Sequence, residues 1–123
     1  MELTLKFELA ASDLARARAW YSEVLGLEPV EEGDELLYQA GGTLFGIYPS
    51  DNAGTNKATA VRIVVADFDA VRAELLSKGV VFEEYDLGDD FRTIDGVLTS
   101  PDGEKTSWFK DTEGNILALG SSL

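Results

Sequence analysis

The chain opens on strict alternation. Leu3, Leu5, Phe7 and Leu9 point one way and Glu2, Thr4, Lys6 and Glu8 the other, which predicts a strand with one apolar face. Ser12-Asp13 offers an N-cap, after which Leu14, Ala17, Tyr21, Val24 and Leu25 recur at helical spacing. Gly26 closes that helix, with Pro29 just beyond. Short strands are expected near 27–32, 35–40 and 43–49, the last two joined by Gly41-Gly42, a pair suited to a tight hairpin.

The same grammar then restarts. A polar link, 50–57, carries no periodicity, and Val61, Ile63 and Val65 alternate as a strand. Asp67 caps a second helix carrying Phe68, Val71, Leu75 and Leu76, and Gly79 stops it. Val80-Val81-Phe82 starts another strand, with more near 94–99, 104–110 and 115–120. Pro101-Asp102-Gly103 and Asp111-Thr112-Glu113-Gly114 separate the last three. Two copies of a βαβββ unit, about 1–50 and 57–123, make this an α+β chain of one domain.

Composition narrows the chemistry. The 123 residues, 45% of them hydrophobic, suffice for a buried core. A net charge of −13 opposes nucleic acid and anionic membranes as partners. With no Cys and no His, disulfides, thiol nucleophiles, Ser-His-Asp chemistry and His-ligated metals are excluded. No apolar run is long enough to span a membrane, and Met1-Glu2 is no signal-peptide start, so a cytoplasmic location is expected.

Asp13-Leu14, Trp20-Tyr21, Val24-Leu25-Gly26-Leu27 and Trp108-Phe109-Lys110-Asp111-Thr112-Glu113-Gly114-Asn115 resemble the vicinal oxygen chelate superfamily of glyoxalases, bleomycin-resistance proteins and extradiol dioxygenases. The resemblance runs the full length. It implies that the two modules form a cupped mixed β-sheet with helices on the outer face and a site on the concave face. It also implies metal ligands at positions that here read Lys6, Gly46, Ala60 and Ala118. An ammonium and three side chains without a heteroatom offer a metal nothing, so no metal and no cofactor are expected. Asp86, Asp89 and Asp90 read as a solvated acidic loop.

Strand parity then proposes the lining of the cup. Lys6 shares its face with Glu8, Ala60 with Arg62, and Gly46 with Gln39 and Tyr48. On the strand before the last, a four-residue turn puts Ser107 and Phe109 inward, whereas a slip of one residue puts Trp108 and Thr106 there. Both registers stay open. Lys6, Glu8 and Arg62 serve equally as polar handles for a ligand or as an ion-pair network closing an empty cup. Trp20 and Tyr21 read as helix packing.

The expected function is metal-independent binding of a small molecule, sequestering a toxic or antibiotic compound in the manner of the bleomycin-resistance proteins. The alternative is a metal-free isomerase, lyase or hydrolase acting on a small carbonyl compound, with Lys6, Glu8 or Tyr48 as acid or base. A third reading is an interaction module with no substrate. A homodimer is expected, because pairing would cover open sheet edges.

Overall fold

The computed structural model describes every residue from Met1 to Leu123. Ten elements follow in the order β1 (Phe7–Ala11), α1 (Leu14–Leu25), β2 (Glu31–Glu32), β3 (Leu36–Ala40), β4 (Thr43–Pro49), β5 (Thr59–Val64), α2 (Phe68–Ser77), β6 (Leu98–Thr99), β7 (Lys105–Lys110) and β8 (Ile116–Gly120). They form two four-stranded sheets, ordered β1-β4-β3-β2 and β5-β8-β7-β6. The fold class is α+β, with a βαβββ element order in each half. By contacts the chain divides into two compact units: Met1–Lys57 with Asp111–Asn115, and Ala58–Lys110 with Ile116–Leu123.

Both helices start as their caps dictate. The Asp13 carboxylate accepts from the Arg16 N–H and the Asp67 carboxylate from the Ala70 N–H, each at 3.0 Å, satisfying a donor that the first turn leaves orphaned. Helix α1 ends on Gly26 in the left-handed region. Its buried residues, Ala17, Tyr21 and Val24, lie at the four- and three-residue steps of one face. In the first unit the Tyr21 ring meets Tyr38 and Phe45, and those two stack at 4.8 Å. In the second, Phe109, Leu117 and Leu119 are buried on the sheet and Phe68 and Leu75 on α2.

In each sheet the last strand is central, paired parallel to the first and antiparallel to the third (β4 with β1 and β3, β8 with β5 and β7). Each parallel pair is connected through a helix, as a parallel crossover requires. The β3–β4 turn is Gly41-Gly42, with φ of +56° and +78°, the sign a two-residue hairpin needs at both positions.

Four strand expectations change, one of them the strand near 94–99, which contracts to Leu98–Thr99. The first strand begins at Phe7, because parallel pairing sets Phe7 against Phe45. Two and four residues further back, β4 has reached its first residue and then the Gly41-Gly42 turn. Leu3 and Leu5 therefore have no ladder, and they stand 71% and 65% exposed. The strand near 27–32 contracts to Glu31–Glu32. Val80-Val81-Phe82 does not form a strand, and the stretch before β6 carries only two isolated bridges, Asp86 with Arg92 and Ile94 with Val97. A three-residue apolar run was too short to specify a pairing partner.

Candidate functional site

In the first unit, register brings Glu8, Gly46 and Leu37 into one row and Ala10 beside Tyr48. Side chains of one row share a face, opposite the buried Leu9, Leu36 and Ile47. Glu8, Gln39 and Tyr48 therefore lie on a common open face. Lys6 precedes the strand, but its Nζ lies 2.6 Å from both Glu8 and Glu35. Hydrogen bonds donated to Glu35 first and Glu8 second push the lysine up to about 12. Held protonated, Lys6 is unsuited to act as a base near neutral pH. The Glu8 carboxylate lies across Gly46, where an added Cβ would come within 2.7 Å of Glu8 Oε2.

In the second unit, Arg62, Ala118 and Trp108 form the corresponding row. The indole is flanked by the Tyr85 and Phe91 rings, each centroid 5.6 Å away. Its Nε1 donates to Thr59 Oγ1 at 3.1 Å. Arg62 Nε donates to the Ser122 carbonyl at 2.8 Å and Nη2 to Thr106 Oγ1 at 3.1 Å. Its guanidinium lies directly over Gly120, filling the space of any side chain there. Burial, and after it the Glu83 charge, raises the Tyr85 hydroxyl, so Tyr85 remains a neutral donor near pH 7. Ala60 stands at a register shift between Thr59 and Val61, so simple parity fails at that residue.

Ser107 and Phe109 are placed otherwise than the four-residue turn predicts. The turn before β8 has five residues: Lys110 pairs with Ile116, and the Asp111 N–H donates to the Asn115 carbonyl at 3.0 Å. One extra residue reverses the faces. Trp108, half-buried, joins the face of Arg62 and the buried Ala118, while Ser107 and Phe109 are fully buried on the other. Ser107 Oγ donates to the Gly96 carbonyl at 2.6 Å, and the Phe109 ring meets Phe82 edge-on. Tyr85 and Phe91 escaped the sequence reading, because neither stands in a periodic segment.

The Asp111–Asn115 turn is structural. Asp111 accepts from the Tyr21 hydroxyl at 2.6 Å, from the Glu113 and Asn115 N–H groups at 2.9 Å each, and from Asn115 Nδ2 at 2.8 Å. Burial, and then the Asp111 charge, raises the Tyr21 hydroxyl far above its ordinary value. Glu113, its side chain wholly buried, accepts from Arg16 Nε and the Asp13 N–H, both at 2.9 Å. Burial alone would raise this carboxyl, but Arg16, the Asp13 N–H and the Thr112 hydroxyl hold it at about 2.

The ligand positions implied by the resemblance do not fit a metal. Lys6 is a paired ammonium, the space at Gly46 is taken by Glu8, and Ala118 shares its row with Trp108 and Arg62. No group of three His, Cys, Asp or Glu side chains is arranged to hold a metal ion.

The fold and these two faces define a βαβββ protein of the vicinal oxygen chelate type. The chain belongs to the Glyoxalase/Bleomycin resistance protein/Dioxygenase superfamily, whose family model matches residues 5–119. It is similar to a glyoxalase/bleomycin resistance protein of Catenulispora acidiphila, at 27% identity and TM-score 0.67 over 97% of each chain. A lactoylglutathione lyase of Agrobacterium tumefaciens shares the fold at 18% identity and TM-score 0.71, over 98% of this chain and 93% of that one. So does a fosfomycin resistance protein of Listeria monocytogenes, solved with Mn(II) and a dihydroxypropylphosphonic acid. Its identity is 15% and its TM-score 0.69, over 100% of this chain and 93% of that one. No curated protein matches the sequence.

Proposed function

We propose that this is a metal-independent, cytoplasmic small-molecule-binding protein that sequesters a flat, largely apolar compound. Trp108 carries this reading. Its half-buried ring stands between Tyr85 and Phe91, in a row with Ala118 and the exposed Arg62. Aromatic surface with one convergent cation is suited to stacking a planar ligand and orienting a polar substituent. The charge of −13 favours a cationic or neutral compound over an anionic one. A metal-free isomerase, lyase or hydrolase is less well supported, since the candidate base Lys6 is tied to two carboxylates. Glu8, Gln39 and Tyr48 are the corresponding contacts proposed for the first unit, and the working form is proposed to be a homodimer.

The test is native mass spectrometry of protein purified from its own host, with tryptophan fluorescence after release of the bound compound. A copurifying small molecule that quenches Trp108 on rebinding is expected, with affinity unchanged by EDTA. Arg62→Ala should weaken rebinding by about 1–3 kcal/mol, the worth of charge-assisted hydrogen bonds. One equivalent of transition metal retained through dialysis, or turnover of a carbonyl compound, would sink the reading.

A further inference from the structure

On the opposite face of the second sheet from Trp108, a groove of about 600 Å³ is lined by Arg72, Arg92 and Lys105 together with Ile94, Asp95 and Val97. Lys105 belongs to the parity class of Ser107 and Phe109, and Arg72 stands on α2. Three of the ten basic residues of an acidic chain thus converge on one place.

Their states differ. Lys105 is paired with Asp69 at 3.1 Å, and Arg92 with Asp89 at 3.0 Å and Asp86 at 3.5 Å. Arg72 has no carboxylate within ion-pair distance. It packs against the Phe82 ring at 4.8 Å, and one N–H, on Nη2, donates to the Asp95 carbonyl. Its Nε is buried and has no hydrogen-bond partner. Buried, that N–H is out of a ligand's reach, so an incoming acceptor meets the terminal N–H groups that the Asp95 carbonyl leaves free.

The groove is built to hold that arrangement. Asp95-Gly96 forms the tight turn of the Ile94–Val97 bridge, with φ of +53° and +75°. Its two carbonyls are fastened, Asp95 to Arg72 and Gly96 to Ser107. Beside the fixed guanidinium, Ile94 leaves 71% of its surface exposed. Glu84, near Gly96, and the Asp95 and Asp89 carboxylates at the groove repel a bare, highly charged anion and favour a ligand with a single oxyanion head.

We propose that this groove binds a small amphiphilic oxyanion, a phosphate or carboxylate on a short apolar chain. Arg72 grips the head end-on through its terminal Nη1 and Nη2 N–H groups, and Ile94 and Val97 carry the chain. This is a second site, independent of the Trp108 face, and its ligand has the opposite charge preference.

The experiment titrates the full chain with n-butyl phosphate, hexanoate and inorganic phosphate at matched ionic strength, following backbone amide shifts. Saturable shifts at Asp95, Gly96 and Val97 are expected with butyl phosphate or hexanoate, and whichever binds more tightly identifies the head group. The Trp108 indole resonance should stay still. Arg72→Gln should weaken binding about tenfold or more, and Arg72→Lys nearly as much, since lysine lacks the fork. Ile94→Ser, a surface change, should weaken butyl phosphate and leave inorganic phosphate unaltered. The proposal is overturned if neither probe saturates, if sodium chloride gives the same shifts, or if Arg72→Gln or Ile94→Ser binds butyl phosphate like the wild type.

Discussion

Single buried charges set how this protein responds to acid. Glu113 is held at about 2 in the folded chain, against an ordinary value of 4.5. A depressed carboxyl contributes stability that is complete above the unfolded value and is lost as pH falls through the folded one. Denaturant midpoints should therefore fall progressively from about pH 4.5 towards pH 2. Glu113→Gln should cost about 1–3 kcal/mol at pH 7, because the Asp13 N–H and the Arg16 guanidinium lose a charged acceptor. It should also flatten the acid limb, and a limb of unchanged steepness would assign the loss to other carboxylates. Lys6 works at the other end of the scale. Its pairing to Glu35 and Glu8 is retained until pH approaches about 12, so it contributes no titration near neutrality.

At the scale of elements, the caps, both helices and the hairpin pattern were legible because each rests on local chemistry. Asp13, Asp67, Gly26 and Gly41-Gly42 act within a few residues of themselves. What escaped depends on counts between elements. The five-residue turn before β8 decides that Trp108 rather than Phe109 shares the face of Arg62, and spacing alone could not choose between them. Tyr85 and Phe91 reach Trp108 from a segment with only isolated bridges, where no period marks the inward side. The same turn carries a sharp prediction. Gly114 has φ +87°, and an added Cβ would lie 2.8 Å from the Gly54 Cα, a contact with backbone that cannot swing away. Gly114→Ala should destabilise by at least about 2 kcal/mol, summing left-handed strain and displaced backbone. Gly46→Ala meets only the movable end of Glu8 and should cost less. Thermal unfolding of the two variants checks the order, and equal losses would refute it.

For the whole molecule, the apolar N-terminus and the net charge pull against each other. Leu3, Leu5 and Phe7 stand 71%, 65% and 59% exposed on alternate residues, and residues before Phe7 belong to no strand. Such a segment presents unpaired backbone groups and one apolar stripe, which a second copy of the chain can satisfy by strand pairing. Burying each leucine contributes about 1.5–3 kcal/mol, and a symmetric dimer counts every such contact twice. Against this, each copy brings a charge of −13, and two like-charged bodies repel at long range. Salt screens the repulsion and leaves the apolar contact intact. The proposed homodimer should therefore tighten as salt rises, the reverse of an interface held by ion pairs. Light scattering at micromolar concentration should give roughly twice 13.3 kDa. Leu3→Ser combined with Leu5→Ser should shift the population to monomer without lowering monomer stability, since neither side chain is buried within one chain. A monomer at all salt concentrations would refute the dimer. A dimer that dissociates in high salt would place its interface on charged groups rather than on this stripe.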